Sequence, residues 1–183
     1  MTQARGWHSR GYLPHFDSPE TVQFVTFRLA DSLPRSVVEA LRLQADTVRL
    51  VDRELDAGRG ACWLQRAEIA GLVQDALLHF DGERYRLLAW CLMPNHVHIV
   101  FEMLGSNSLS DIIGSCKSFT ARRANAKLGR SGPFWHPDYF DRYMRDEDHL
   151  GRTIDYVEQN PVKAGLVSTA VDWPWSSACF RKV

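Results

Sequence analysis

The chain has 183 residues, of which 45% are hydrophobic and 24% are charged, a composition typical of one folded domain of ordinary size. Lysine and arginine together number 22, and so do aspartate and glutamate, so no overall positive charge attracts nucleic acid or an anionic membrane. No apolar run approaches the roughly 20 residues of a membrane span, the N-terminus lacks a signal-peptide core, and the four cysteines are too scattered for a disulfide framework. We therefore expect a cytoplasmic protein without a membrane partner, in which any polyanion is bound by a local patch.

The first half of the chain predicts one strand and two helices. Residues 1–20 mix glycine, proline and histidine without periodicity, which indicates an irregular N-terminal arm. The β-branched and aromatic run Val22–Leu29 is typical of a strand. Apolar residues then recur at helical spacing from Pro34 to about Ala57 and again from about Gln65 to His79.

The middle of the chain predicts a hairpin and a further helix. Tyr85–Met93 and His96–Met103 flank the dipeptide Pro94-Asn95, a spacing that favours two antiparallel strands joined by a tight turn. A helix is expected from Leu109 to about Leu128.

The last third predicts a strand in an aromatic segment, a helix and a tail. The helix carries Leu150, Ile154 and Val157 at helical spacing and is expected to end near Asn160, because Pro161 disfavours a helical conformation in the residue before it. Residues 168–183 are expected to form a C-terminal tail that docks on the main domain, which spans residues 21–167. The order of elements predicts an α+β fold built on an antiparallel sheet.

Two histidines on the second hairpin strand share one face. Side chains alternate along a strand, so His96 and His98 point the same way, while Val97, Ile99 and Phe101 form an apolar face against which helices can pack. Such a pair can bind one metal ion, although two histidines on a half-exposed strand are more often ordinary surface or hydrogen-bonded residues.

Tyr156 and Asn160 lie four residues apart on the last helix and therefore share a face, to one side of its apolar stripe. A polar flank suits a reacting hydroxyl group. The alternative is structural: Tyr156 seals the edge of the core and Asn160 caps the helix. Arg152 continues the same face and is a candidate phosphate ligand.

One locally basic stretch lies on the helix from Leu109. Its cations are candidates for phosphate contacts, together with two arginines near the last helix; the alternative is a solvated helix face. The candidate DNA-binding residues are Lys117, Arg122, Arg123, Lys127, Arg142, Arg145 and Arg152. Trp135, Tyr139 and Phe140 are suited to stacking on unpaired bases, but burial in the core is the favoured interpretation.

Four segments together resemble the REP-associated tyrosine transposases, a branch of the HUH enzymes with a single catalytic tyrosine. They are LMPNHVHIVFE at 92–102, KSFTARRAN at 117–125, FWHPDYFDRYMRD at 134–146 and DYVEQNPVKAGLV at 155–167. Insertion-sequence relatives carry glutamine where this chain has Asn160, so the asparagine favours the REP-associated branch. The resemblance implies a ferredoxin-like or RRM-like antiparallel sheet, expected here with its helices packed on one face.

The resemblance also implies the chemistry. It assigns His96, His98 and Asn160 as ligands of one divalent metal, Mg²⁺ or Mn²⁺, and Tyr156 as the nucleophile that forms a 5′-phosphotyrosine link. This ligand set does not fix the metal, because zinc, cobalt and nickel also accept imidazole and amide ligands. The expected function is a metal-dependent single-stranded DNA endonuclease and strand transferase, a transposase acting at repeated palindromic hairpins, as a monomer or a homodimer.

Two other functions remain open at this point. The first is a non-catalytic module that binds hairpin or single-stranded nucleic acid, in which Tyr156 has no chemical role. The second is a metal-dependent hydrolase that cleaves a small phosphoester with activated water.

Overall fold

The structure is a computed structural model that describes residues 6–9, 14–18, 21–34, 37 and 47–181. In chain order, the strands are β1 (Gly6–Ser9), β2 (Pro14–Asp17), β3 (Val22–Arg28), β4 (Tyr85–Leu92), β5 (His96–Met103) and β6 (Phe140–Tyr143). The α-helices are α1 (Thr47–Asp56), α2 (Ala67–Leu78), α3 (Leu109–Leu128) and α4 (Glu147–Lys163). Short 3₁₀ turns span Trp63–Gln65, Ala170–Asp172 and Ser177–Phe180.

Strands β3 to β6 form one antiparallel sheet in the order β4-β5-β3-β6. With helices between β3 and β4 and between β5 and β6, this is the ferredoxin-like arrangement. The α+β class and the antiparallel sheet with packed helices are therefore confirmed. The predicted strands and the helix Leu109–Leu128 are found within one or two residues of the expected bounds. Of the helix predicted from Pro34 to about Ala57, residues 35–36 and 38–46 lie outside the described residues, and its last part is α1.

The two faces of the sheet are covered by different helices. Val97, Ile99 and Phe101 of β5 pack with apolar residues of α2 and α3, as their alternation predicts. On the other face, Val100 packs with Val157 of α4. The helices thus lie on both faces and not on one face as expected, because α4 occupies the face to which His96 and His98 belong.

Helix α4 does not end at Asn160, which corrects the sequence-based expectation. It runs through Pro161 to Lys163. Proline lacks only its own N–H, so in the last turn the cost is a single hydrogen bond. Gly165, two residues after the last helical residue, terminates the helix because its φ of 70° lies in the left-handed region. The Gly165 N–H donates to the carbonyl oxygen of Val162, and the Leu166 N–H donates to that of Pro161.

The described part of the N-terminal arm is not irregular. Strands β1 and β2 pair as a small antiparallel sheet. The arm is attached to the main sheet by His15, whose ring nitrogen Nδ1 pairs with the buried carboxylate of Asp141 on β6. Gly6 begins β1 and Pro14 begins β2. Strands of four residues are too short for hydrophobic alternation to reveal them.

The C-terminal segment packs along the outer edge of β4. The Leu92 N–H donates to the Trp175 carbonyl oxygen, and Glu158 on α4 accepts hydrogen bonds from Ser177 and Arg181. The segment therefore ties β4 to α4. Within the part of the chain that the structure describes, no helix has the length and apolarity to cross a bilayer.

Candidate cation and nucleophile site

The centre of the site is the pair His96 and His98 on β5, and both side chains are fully buried. Their Nε2 atoms lie 2.9 Å apart. β5 is an inner strand between β3 and β4, so its backbone is fixed by hydrogen bonds on both sides. The strand thus holds the two imidazoles in a defined mutual orientation.

Asn95 fixes the proton on His96. The Asn95 amide nitrogen donates to the carbonyl oxygens of Leu55 and Arg59, at 3.1 and 3.0 Å, so its oxygen must be the atom that faces His96 Nδ1 at 2.8 Å. An amide oxygen only accepts, so His96 Nδ1 carries the hydrogen and Nε2 carries a lone pair. His96 is thereby prepared to act as a ligand through Nε2.

His98 has a partner that fits either tautomer. Thr26 Oγ1 lies 2.7 Å from His98 Nδ1, and a hydroxyl group can donate or accept. Without a cation, His98 Nε2–H donates to the lone pair of His96 and Thr26 donates to Nδ1. With a cation, Nδ1 takes the hydrogen and donates to Thr26, which frees the Nε2 lone pair.

Burial keeps both rings neutral. It lowers the pKa of His98 from 6.5 to about 3. It also lowers the pKa of His96 well below 6.5, with a further contribution from the neighbouring His98. Neutral imidazole is the form that binds a metal ion.

The two imidazoles are close enough for both Nε2 atoms to reach one cation. Among the described residues, no three His, Cys, Asp or Glu side chains form a set that could hold a metal ion. A third protein ligand would therefore be of another type, such as an amide.

Tyr156 stands beside this pair. Its ring centroid is 5.6 Å from that of His98 and 6.1 Å from that of Phe24, both in edge-on geometry. Phe24 also stacks on His98, with centroids 5.6 Å apart. The half-buried Tyr156 ring is thus held on α4 over β5, which carries both histidines, and over Phe24 of the neighbouring β3.

Asn160 follows Tyr156 by one helical turn and is 1% exposed. Neither its amide oxygen nor its amide nitrogen has a hydrogen-bond partner among the described residues. Because α4 continues past it, Asn160 is not a helix cap. A buried amide without partners is costly and calls for an explanation.

Lys163 lies on the same stripe of α4, and its Nζ is 4.7 Å from the centre of the Tyr156 ring. Its charge also acts on Asp56, whose Oδ1 is 3.9 Å from His96 Nε2. Tyr156, at one end of the stripe, contacts His98. Lys163, at the other end, acts on Asp56, which lies beside His96. Asn160 lies on the helix between Tyr156 and Lys163. The helix thus presents its stripe to the pair.

The chain is similar in sequence to known transposases. Residues 74–160 match the family described as Transposase IS200 like. A Haemophilus influenzae protein assigned to the REP-associated tyrosine transposases is 27% identical over 51% of this chain and 58% of its own length. The REP-associated tyrosine transposase of Escherichia coli is 24% identical over 58% of this chain and 62% of its own length. The chain thus matches less than two thirds of the length of these relatives.

A solved structure shares the fold. It is that of a REP-associated tyrosine transposase bound to a REP hairpin, with a TM-score of 0.57 and 19% identity over 89% of this chain and 79% of that one. The chain resembles the REP-associated tyrosine transposases. The resemblance seen in the sequence motifs is thereby confirmed.

The basic helix lies away from the site. α3 packs on the opposite face of the sheet from His96 and His98. Lys117 donates to the carbonyl oxygens of residues 136–138, at 2.8 to 3.3 Å, and so fastens the loop before β6. Arg122 is exposed, and Arg123 and Lys127 line a cleft of about 610 Å³ between α2 and α3. DNA binding by these residues stays a prediction.

The other predicted DNA-binding arginines lie on the side of the sheet that carries Tyr156. Arg142 pairs in register with Phe24 on β3, which places it on the face of the sheet that carries His98, and its guanidinium lies 5.6 Å from the Phe140 ring centre. Arg145 follows β6, and Arg152 precedes Tyr156 by one turn of α4; all three arginines are exposed. Their contact with DNA is also a prediction.

The aromatic residues divide between the core and the site. Trp135 and Tyr139 are buried, as the favoured interpretation of the sequence states. Phe140 is half-buried and meets Phe24 edge-on at 6.1 Å.

Sequence reasoning missed four residues of the site: Asp56, Thr26, Asn95 and Lys163. Three of them come from other elements or from beyond the predicted helix end, so no local period reveals them. Asn95 alone gives a signal, because an asparagine directly before the histidine pair is suited to orient its neighbour.

Proposed function

We propose that this chain is a metal-dependent single-stranded DNA endonuclease and strand transferase that acts at palindromic hairpins through Tyr156. The observation that carries the proposal is the position of Tyr156 beside two buried, neutral histidines of the same chain, with Asn160 unpartnered on the next turn. The hairpin bound by the solved neighbour supports the same class of substrate. This makes the chain an HUH-type phosphoryl-transfer enzyme.

His96, His98 and Asn160 would hold the cation, Mg²⁺ or Mn²⁺. A bound divalent cation would stabilise the negative charge that develops on the phosphate oxygens during displacement. The chain's part is to supply two imidazole lone pairs and one amide oxygen. Asn95 and Thr26 keep the rings oriented, because each occupies the Nδ1 atom that does not face the site.

Tyr156 would attack the phosphorus atom of a phosphodiester. The tyrosine oxygen–phosphorus bond forms, the bond to the 3′ oxygen breaks, the hydroxyl proton of Tyr156 is released, and the 3′ oxygen gains one. The product is a 5′-phosphotyrosine and a free 3′-hydroxyl group. Since the ester is conserved, the reverse attack by another 3′-hydroxyl rejoins DNA without ATP.

Lys163 favours this attack. A tyrosine with a pKa near 10 is only about 0.1% ionised at neutral pH. An ammonium group 4.7 Å from the ring centre favours the phenolate over the neutral phenol. Arg152, Arg142 and Arg145, exposed on the same side, would contact the phosphates of the strand that enters the site.

The test is incubation with single-stranded hairpin oligonucleotides, drawn from repeats flanking the gene, with and without Mn²⁺, followed by a denaturing gel. The expected result is a Mn²⁺-dependent covalent adduct that disappears in Tyr156→Phe. Tyr143→Phe is the matched control, since Tyr143 lies opposite Gln23 in the register and so on the other face of the sheet. It should form the adduct normally.

The other outcomes distinguish the alternatives. Cleavage that needs Mn²⁺ but gives no adduct, and that survives Tyr156→Phe, would show attack by activated water. Tight hairpin binding without cleavage, unchanged in Tyr156→Phe, would show a non-catalytic binding module.

A further inference from the structure

Asp56, the last residue of α1, has an oxygen atom with no explained partner. Its Oδ1 is inaccessible to solvent and makes no hydrogen bond to the described residues, although the side chain as a whole is 31% exposed. The same atom is 3.9 Å from His96 Nε2, which is too long for a hydrogen bond. Burial raises the pKa of this carboxyl group, and the nearby Lys163 opposes the effect. A buried anionic oxygen without a partner calls for an explanation.

The position of Asp56 is built rather than incidental. Asn95 bonds to the carbonyl oxygens of Leu55 and Arg59, which flank Asp56 in the chain, and with its other end to His96 Nδ1. One amide thus fixes both the end of α1 and the ring whose Nε2 faces Asp56. Leu55 is 1% exposed and anchors this end of the helix in the protein.

The proposed ligands lack a charge that the cation needs. Two neutral imidazoles and an amide carry no formal charge, and the nearby Lys163 is positive. A divalent ion among these groups needs an anion close by, and Asp56 is the carboxylate in contact with the pair. No group of three His, Cys, Asp or Glu side chains among the described residues could hold a metal ion, so Asp56 is assigned an outer position and not that of a third direct ligand.

We infer that Asp56 is the anionic outer ligand of the cation site, holding a water molecule of the cation through Oδ1. This inference rests on the proposed function. Mg²⁺ and Mn²⁺ favour oxygen ligands, and Mg²⁺ keeps several waters when bound, whereas imidazole equally suits zinc, cobalt and nickel. Asp56 is therefore the residue that directs an imidazole-rich site towards Mg²⁺ and Mn²⁺.

The test measures cation binding to the full chain, without DNA, by Mn²⁺ electron paramagnetic resonance and by titration calorimetry. Asp56→Asn should weaken Mn²⁺ binding by 10- to 100-fold, and should weaken Ni²⁺ binding by a much smaller factor. Glu54→Gln is the matched control: Glu54 lies on the same helix, its side chain is 32% exposed, and it pairs with the exposed Arg59 at 3.3 Å. It should bind Mn²⁺ within twofold of the wild type.

A second readout separates this role from a structural one. Because Oδ1 has no hydrogen-bond partner to lose, Asp56→Asn should not lower the melting temperature of the metal-free protein. It should reduce only the rise in melting temperature that Mn²⁺ produces. A lower metal-free melting temperature with unchanged Mn²⁺ affinity would show a structural role and overturn the inference.

His96→Ala distinguishes failure of the inference from failure of the proposed function. If Asp56→Asn binds Mn²⁺ like the wild type while His96→Ala abolishes binding, the cation site stands and the role of Asp56 is refuted. If the wild-type chain binds no Mn²⁺, or if His96→Ala does not affect its binding, the cation-dependent function fails and the inference fails with it.

Discussion

The neutrality of the buried histidines makes a quantitative prediction about pH. His98 has a pKa of about 3 in the folded chain and an ordinary value of 6.5 when exposed. Lowering the pH therefore adds a proton to the unfolded chain before it adds one to the folded chain, and this destabilises the folded state. The stability is fully present above pH 6.5 and is lost progressively as the pH falls towards 3.

The magnitude follows from the two pKa values. Each pH unit between them is worth about 1.4 kcal/mol, less near the upper limit, so His98 alone lowers the free energy of unfolding by about 2 kcal/mol between pH 6.5 and 4.5. His96 and His136, whose pKa values are also lowered by burial, act in the same direction. The contribution of His98 must therefore be isolated by a variant.

The assay is urea unfolding in EDTA at pH 6.5 and 4.5. Over this interval, the free energy of unfolding of His98→Gln should fall by about 2 kcal/mol less than that of the wild type. His79→Gln, at an exposed histidine, is the control and should keep the wild-type pH dependence. Equal pH dependence in wild type and His98→Gln, or an NMR titration of the His98 ring near pH 6.5, would refute the reasoning.

Three further predictions concern binding and rate. Thr26→Val should weaken Mn²⁺ binding by about tenfold in calorimetry, because the cation-binding tautomer of His98 loses its hydrogen-bond acceptor. Thr26→Ser should retain wild-type Mn²⁺ affinity, and an equal loss of affinity in both variants would contradict the role of the hydroxyl group. Lys163→Met should slow adduct formation and shift the pH–rate profile towards higher pH, since the Tyr156 phenolate loses the nearby ammonium group; an unchanged profile would exclude that role of Lys163. Replacing Arg123 and Lys127 by alanine should reduce the salt dependence of hairpin binding by up to about two counterions, and an unchanged slope would place the DNA elsewhere.

Local sequence patterns were sufficient to predict β5 and the shared face of Tyr156 and Asn160 on α4. Alternation along β5 predicts which residues join the core and that His96 and His98 share a face, and both are observed. The helical spacing of Tyr156 and Asn160 likewise predicts their common stripe. These predictions succeed because strand and helix periods are properties of neighbouring residues.

The features that sequence reasoning missed depend on contacts between distant parts of the chain. Asp56 reaches His96 only through the packing of α1 against the hairpin turn, and Thr26 reaches His98 only through the register of β3 with β5. The predicted end of α4 was wrong because a proline in the last turn removes only one hydrogen bond, and the hydrogen bonds around Gly165 end the helix after it. Rules based on neighbouring residues predict neither these contacts between distant elements nor this helix end.

The end of α4 has a consequence for the chemistry. If the helix stopped at Asn160, Lys163 would not share a helical stripe with Tyr156, and its ammonium group would not be held over the ring. With the helix continued, the Lys163 ammonium group lies beside Tyr156, and the Asp56 carboxylate lies beside His96. Because Lys163 also acts on Asp56, binding of the proposed metal ion and ionisation of Tyr156 would be electrostatically coupled. A metal ion bound with the help of Asp56 would offset the carboxylate charge, and the positive field of Lys163 would then act on the phenolate.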